Sequence, residues 1–170
     1  AGLKFLNNLA QNNTRYWFKA NQEEYEKTLR TPALRFIEQM QPVVVAISPR
    51  LTAVSKKVGG SLMRPRRDSR FSKDKTPYKT NVGIQFRHFQ GKDVHAPGLY
   101  LHIAEDGCFI AAVIWHPESK ALNEIRACID ENPNAYQKAL QTSQDNGAVM
   151  DGDCLSRPPR GYEINHPLSA

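Results

Sequence analysis

The chain has 170 residues, of which 40% are hydrophobic and 24% charged, and its formal net charge is +6 at pH 7. This length suits one domain with a full-sized core, and the two fractions are ordinary for a globular protein, so they exclude wholesale disorder. No apolar run reaches the length of a membrane span, since the longest, residues 108–115, is the size of a β-strand. We therefore expect no membrane partner, and the composition does not indicate an oligomeric state.

The first third of the chain is predicted to be helical. Asn21 and Glu24 have the spacing of a capping box, and residues 5–9 suggest a shorter helix before it. Pro32 should kink or split the longer helix, and we favour helix for the β-branched residues 43–47. Apolar residues at helical spacing form one stripe, which we interpret as core. The stripe consists of Tyr25, Leu29, Ala33, Phe36 and Met40.

Extended segments follow Gly59-Gly60. Residues 61–67 and 82–89 are predicted to be strands, and the polar residues 68–80 between them, which include Pro77, are predicted to be a loop. Two further strand-like runs, residues 99–104 and 108–115, flank an Asp-Gly dipeptide at positions 106 and 107. This dipeptide is typical of a two-residue type I′ hairpin turn.

That turn would set the register of the hairpin, with Leu101 opposite Ala112 and Ile103 opposite Ile110. One face would then be wholly aliphatic, and we expect it to be core. Its residues are Leu99, Leu101, Ile103, Ile110, Ala112 and Ile114. The other face is mixed and is either covered by helices or forms the floor of a pocket. It carries Tyr100, His102, Phe109, Ala111, Val113 and Trp115.

Helix-start signals return after the hairpin, at Pro117-Glu118 and at Asn132-Pro133. Helices, a sheet and further helices, in that order, predict an α+β fold. We expect N-terminal helices packed on a mainly antiparallel sheet, with further helices after the central hairpin. All of residues 1–170 would form a single domain.

The positive charge of the chain is concentrated in residues 56–79, where nine basic and two acidic side chains give a local net charge of +7. The remainder of the chain is therefore close to neutral. A local excess of this size indicates contact with something anionic. We use the name basic segment for residues 64–80 within this stretch.

Several motifs resemble a family catalogued as domain of unknown function 2461. They are Asn-Asn-x-Arg-x-Trp-Phe from residue 12, Gly-Gly-Ser-Leu from 59, Arg-Asp-x-Arg-Phe-Ser-x-Asp-Lys-x-Pro-Tyr-Lys from 67, Tyr-Leu-His-Ile from 100 and Arg-Pro-Pro-Arg-Gly-Tyr from 157. The resemblance covers nearly the whole chain and implies an α+β domain, without implying an activity. Pro65-Arg66 departs from the pattern. Members continue past the match at His166-Pro167, so we expect part of the C-terminal end of the domain to be missing here.

We hypothesise that the basic segment binds a small anionic ligand bearing phosphate or carboxylate, either as a binding protein or as an enzyme. Arginine suits bidentate recognition of such groups, and lysine adds mobile charge. The predicted ligand-binding residues are Arg64, Arg67, Asp68, Arg70, Ser72, Lys75, Lys79, Arg157 and Arg160. Asp68 would orient its arginine neighbours and pair with at least one of Arg64, Arg67, Arg70 or Arg160. Tyr78 and His102 are the candidate catalytic groups for proton transfer.

Two other interpretations of the basic segment stay open. It could be an Arg–Asp network that pins a long loop to the domain, with no ligand at all. It could also be the surface of a nucleic-acid or protein interaction module, since Phe71 and Tyr78 lie among its bases. The histidines lack the spacing of a metal site and no glycine-rich phosphate loop is present, so we expect no metal and no cofactor.

A cytoplasmic location is the expectation from the cysteines and the first residues. Cys108, Cys128 and Cys154 fit neither a disulfide framework nor a Cys-x-x-Cys metal site, and we interpret them as reduced thiols. Residues 1–5 lack the pattern of a signal peptide.

Overall fold

The computed structural model describes residues 1–70, 72–89, 96–152, 155–163 and 166. The chain forms two compact units, Ala1–His116 and Pro117–Ala170. Helices flank an antiparallel sheet along the chain, so the predicted α+β fold is confirmed. A single domain over residues 1–170 stays a prediction, as does the cytoplasmic location. No helix in the described residues is long and apolar enough to cross a bilayer.

Helices and a four-stranded sheet make up the first unit. Its helices are α1 (Gly2–Gln11), α2 (Arg15–Ala20), α3 (Gln22–Tyr25) and α4 (Thr31–Ile47). Its strands are β1 (Leu51–Thr52), β2 (Val82–His88), β3 (Gly98–Ile103) and β4 (Cys108–Val113), arranged in this order with every neighbouring pair antiparallel. The second unit contains α5 (Ser119–Glu131) and α6 (Pro133–Asp145), close to the predicted starts.

The interruption expected at Pro32 takes the form of a π-helical turn. Residues Glu26–Arg30 form this turn between α3 and α4, and the Thr31 N–H donates to the Glu26 carbonyl five residues earlier. Pro32 then lies in the first turn of α4, where its missing N–H costs little. The favoured helix over residues 43–47 is confirmed as the end of α4.

The predicted capping box at Asn21 is wrong. The Asn21 side chain makes no capping bond to α3, and its Nδ2–H instead donates to the Trp17 carbonyl at 2.9 Å. The amide therefore closes the end of α2, because α2 and α3 share this residue as their junction.

Two hydrophobic clusters fill the first unit. One lies among α1, α2 and α3 and contains Phe5, Leu6, Leu9, Phe18, Tyr25, Leu29 and Tyr78. The other lies between α4 and the sheet and contains Ile37, Val44, Leu51, Leu62, Ile84 and Phe86. The predicted helical stripe is core, with two residues in the first cluster and Ala33, Phe36 and Met40 packed against the second.

The predicted strand over residues 61–67 is an extended segment with isolated bridges. Leu62 pairs with Ile84, and Arg66 pairs with Tyr78. The Lys79 N–H donates to the Pro65 carbonyl at 2.8 Å, and the Arg67 N–H donates to the Pro77 carbonyl at 3.0 Å. The two ends of the basic segment therefore lie side by side, and the described residues between them, 68–70 and 72–76, belong to the loop.

The predicted hairpin turn is wrong by one position. Ile103 pairs with Cys108 and Leu101 with Ile110, and the Ala104 N–H donates to the Gly107 carbonyl at 3.0 Å, so Glu105 and Asp106 form the turn. Gly107 lacks the positive φ that a type I′ turn requires. The pairing shifts by two residues, which keeps every side chain on its predicted face.

The predicted aliphatic face is buried at β2 but becomes progressively exposed toward β4. Ile84 on β2 is 1% exposed, its neighbour Leu101 on β3 is half-buried, and Ile110 beyond it on β4 is 65% exposed. Ala112 and Ile114 are exposed as well, so the expectation of burial was wrong for these three residues. The reason is that α4 packs over β1 and β2 and leaves the β4 edge uncovered within this unit.

Asn13 fastens the end of the basic segment to the helices. Its side-chain Nδ2–H donates to the Tyr78 carbonyl at 2.9 Å, and its Oδ1 accepts the Tyr78 N–H at 3.1 Å. The amide thus bonds the main chain as a neighbouring strand would. The Tyr78 ring, 4% exposed, stacks on Phe18 with ring centroids 4.0 Å apart.

Cys108 and Cys128 are free thiols, as predicted, while Cys154 lies outside the described residues.

We predict that Ile84→Ala lowers the free energy of unfolding by about 2–5 kcal/mol, because it leaves a cavity beneath α4. The matched change Ile110→Ala, one strand pair away on the same face, should stay within about 0.5 kcal/mol. Urea denaturation followed by circular dichroism measures both. Equal losses would contradict the one-sided core.

Asn13→Ala should lower the free energy of unfolding by about 1–3 kcal/mol, because it leaves both backbone groups of buried Tyr78 without this partner. Asn12→Ala is the control, since among the described residues the Asn12 side chain bonds only the exposed Asn8 carbonyl, and alanine keeps the Asn12 backbone bonds. The same denaturation experiment compares the two variants. The anchoring role of Asn13 fails if both changes have the same small effect.

Candidate functional site

An open cleft of about 730 Å³ lies on the mixed face of the sheet in the first unit. Its floor comes from β2 and β3 and consists of Gln85, Arg87, Tyr100 and His102. Polar side chains beside the floor are Arg67, Asp68, Lys79, Thr80 and Asn81. Apolar contacts come from Met63, Val113 and Trp115. Of the two alternatives for the mixed face that carries Tyr100 and His102, the pocket floor is the one that the structure shows.

Strand alternation explains which side chains reach the cleft. Ile84 and Phe86 point into the core, so Gln85 and Arg87 between and after them point to the other side of β2. On β3 the same alternation separates Leu99 and Leu101, which pack against the core, from Tyr100 and His102. Arg87 Nε donates to Gln85 Oε1 at 2.9 Å, which fixes both ends of this polar row.

Four of the predicted site residues line the cleft, namely Arg67, Asp68, Lys79 and His102. Others belong to the first unit but lie outside the described lining: Arg64, Arg70, Ser72 and Lys75. Arg157 and Arg160 are exposed residues of the second unit, and their part in a binding site stays a prediction.

Tyr78 is a core residue and does not line the cleft. Its ring is enclosed by the first hydrophobic cluster and stacked on Phe18, so its expected role in proton transfer is not supported by its position. The sequence suggested a catalytic role because Tyr78 supplies a phenol within the basic segment. Its burial goes with the hydrogen bonds from Asn13, a residue 65 positions away in the chain.

Acidic side chains within the basic segment hold the loop together. Arg67 forms an ion pair with Asp74 and donates through Nη1 to Thr76 Oγ1 at 2.9 Å. Asp74 Oδ1 accepts the Thr76 N–H at 2.9 Å. Hydrogen bonds from Thr76, followed by those from Arg67, lower the pKa of the Asp74 carboxyl. These contacts fix the Arg67 side chain at the edge of the cleft.

Asp68 is paired with Arg70, as predicted. Arg70 Nε and Nη2 donate to the two carboxylate oxygens at 2.9 and 2.7 Å, in the bidentate geometry typical of arginine. The side-chain bonds from Arg70 are the main reason that the pKa of Asp68 falls to about 2. The Arg70 side chain is largely exposed, so the pair lies at the mouth of the cleft.

Three cations near the cleft lack such a partner. Within the described residues, no carboxylate forms an ion pair with Arg64, Lys79 or Arg87. Lys79 is half-buried, and burial is the main cause that lowers the pKa of its ammonium group; the positive charges of Arg64 and Arg67 lower it further. The cleft therefore has a positive wall with one paired carboxylate, Asp68.

Asn81, Tyr100 and His102 form a hydrogen-bonded group on the floor. Tyr100 Oη is 3.1 Å from His102 Nδ1, and Asn81 Nδ2 is 3.3 Å from the same nitrogen and 3.4 Å from Tyr100 Oη. The imidazole also stacks on Phe109 with ring centroids 4.8 Å apart. Burial raises the pKa of the Tyr100 hydroxyl, which stays protonated and available as a donor.

The sequence did not single out Asn81, Gln85 and Arg87 as site residues. The alternation of polar Gln85 and Arg87 with Ile84 and Phe86 was a usable signal, because period two places the polar pair on the face opposite the core. Asn81 precedes the strand and carried no signal of this kind. Among the described residues, no group of three or more His, Cys, Asp or Glu side chains is placed to hold a metal ion.

Comparison with family models gives one description for the whole chain. The model described as "Conserved hypothetical protein (DUF2461)" matches residues 1–170. Comparisons with curated proteins and with solved structures give no match. Since the family model spans the full length, the chain belongs to the conserved hypothetical protein family DUF2461.

Proposed function

We propose that the protein binds a small anionic ligand, carrying a phosphate or a carboxylate, in the cleft of the first unit. The observation that carries the proposal is the position of Lys79. It is half-buried beside two arginines and has no acidic partner among the described residues. Burial and like charges both disfavour the charged ammonium, and a bound anion would reverse the second effect.

The arginines near Lys79 keep donors for such a ligand. The described bonds of the Arg67 side chain use Nη1 alone, which leaves Nε and Nη2 for an oxyanion. Arg87 uses Nε for Gln85, which leaves its two terminal nitrogens. Guanidinium groups held in this way are pre-organised for planar recognition of phosphate or carboxylate.

Convergence in a concave site distinguishes ligand binding from a general interaction surface. Arg67 and Lys79, from the two ends of the basic segment, meet Arg87 of β2 in one cleft, with His102 of β3 at its floor. The internal pairs of the loop, Arg67–Asp74 and Arg70–Asp68, support a structural role as well. The two roles are compatible, because the pairs hold the loop while Lys79 and Arg87 stay available.

The second candidate is a nucleic-acid or protein interaction module that uses the basic residues outside the cleft. Arg64, Arg66, Lys73 and Lys75 are all exposed, which favours contact with an extended anionic partner. Such binding would depend on many weak contacts and would weaken steeply with salt, whereas a small-ligand site depends on the few residues of the cleft.

We predict that Lys79→Met lowers the affinity for inorganic phosphate roughly ten- to a hundredfold, because it removes a charge-assisted hydrogen bond of about 1.5–3 kcal/mol. Methionine keeps most of the length of the lysine side chain and removes its charge. Lys73→Met is the matched control, since Lys73 is exposed in the same loop. Isothermal titration calorimetry at two salt concentrations measures all three proteins.

Equal affinities of the two variants, or no phosphate binding by the wild type, would contradict the proposal. An interaction module would instead bind short oligonucleotides, and both variants would lose that binding slightly and to a similar extent.

A further inference from the structure

The contacts of His102 bear on which ring nitrogen carries the proton in its neutral form. Asn81 Nδ2 is an amide nitrogen, which can only donate, and it lies 3.3 Å from His102 Nδ1. Tyr100 Oη lies 3.1 Å from the same nitrogen and can donate its proton to it. An obligate donor and a second potential donor therefore face Nδ1, an arrangement that favours Nδ1 as the acceptor and the proton of the neutral ring on Nε2.

The surroundings hold this arrangement in place. The ring lies nearly parallel to Phe109, at an interplanar angle of 8°. Tyr100 reaches over Gly83, which is the register partner of His102 on β2. A Cβ atom at Gly83 would lie 2.9 Å from Tyr100 Oη and 2.8 Å from Met63 Sδ, so a larger residue would displace the hydroxyl. Glycine at this position therefore lets Tyr100 reach His102.

The charged groups of the same cleft define what His102 faces. They are Lys79 and Arg67 beside the floor, Arg87 on β2, and Asp68, which is paired with Arg70. β4 contributes Phe109 against the ring and carries no charged side chain in the lining. Apart from Asp68, the charged groups are donors only, and they match a ligand whose contacting oxygens all accept.

We propose that Asn81 and Tyr100 fix His102 as a neutral donor at Nε2, and that this N–H binds the oxyanion together with Lys79. The inference rests on the proposed function for its ligand and deepens it in two respects. It makes His102 a binding residue and Tyr100 a positioning residue, and it specifies the ligand as an acceptor-only oxyanion such as sulfate, a carboxylate or a fully deprotonated phosphate ester.

The tautomer can be measured without any ligand. Two-bond proton–nitrogen NMR spectra distinguish protonated from unprotonated ring nitrogens, and they are recorded at about pH 8, above the ordinary histidine pKa of about 6.5. The chain has five histidines, and the signal missing from His102→Gln assigns His102. We expect the Nε2–H form in the wild type and a shift toward Nδ1–H in Tyr100→Phe. A wild type with Nδ1–H, or a tautomer unchanged in Tyr100→Phe, would overturn the positioning role.

The binding role is tested with sulfate as the probe, since its charge is constant over this pH range. Glutamine places its amide nitrogen near the position of Nε2, whereas asparagine places it near that of Nδ1. We expect His102→Gln to bind sulfate within a few fold of the wild type and His102→Asn to lose about tenfold or more. Circular dichroism and thermal unfolding show that each variant is folded.

The outcomes separate the two proposals. If the wild type binds no sulfate, the anion site fails, while the NMR spectra still test the positioning by Tyr100. If the wild type binds sulfate and His102→Asn binds it equally well, the anion site stands and the role of His102 is refuted. If both substitutions reduce sulfate binding equally, hydrogen bonding from Nε2–H of His102 to the anion is refuted.

Discussion

The paired hydrogen bonds between Asn13 and the Tyr78 main chain are the constraint on which the site depends. They join the turn after α1 to the end of the basic segment, across 65 positions of sequence. Tyr78 is then buried against Phe18, and its neighbour Lys79 must point to the opposite side of the extended chain, toward the cleft. A cation reaches a partly buried position because the residue before it is part of the core.

One antiparallel sheet serves both the core and the cleft. On β2, each residue that packs under α4 is followed by one that faces the cleft, and β3 repeats this alternation with aliphatic and polar side chains. The residues of the cleft floor therefore share their strands with buried core residues. Strands position hydrogen-bond donors more precisely than a loop does. The basic segment contributes to the cleft only through its two ends.

Local patterns in the sequence were sufficient for the fold class and for part of the site. The helical stripe, the mixed face with Tyr100 and His102, and the Asp68–Arg70 pair all involve spacings of a few residues. The hairpin register was beyond this reasoning. A slip of two residues leaves every side chain on the same face, so the hydrophobic pattern cannot distinguish the two pairings, and the Asp-Gly signal favoured the wrong one. The burial of Tyr78 depends on Asn13 and Phe18, whose approach is a tertiary contact that no spacing indicates.

The location of anion binding is the central claim, and amide chemical-shift mapping during a sulfate titration tests it most directly. The account predicts saturable shifts concentrated at five residues of the cleft lining, Lys79, Asn81, Gln85, Arg87 and His102. Little change is expected at Arg66, Lys73 and Lys75, which are exposed. Shifts spread over those exposed bases and absent from the cleft would contradict the account and assign the charge of the basic segment to its outer surface.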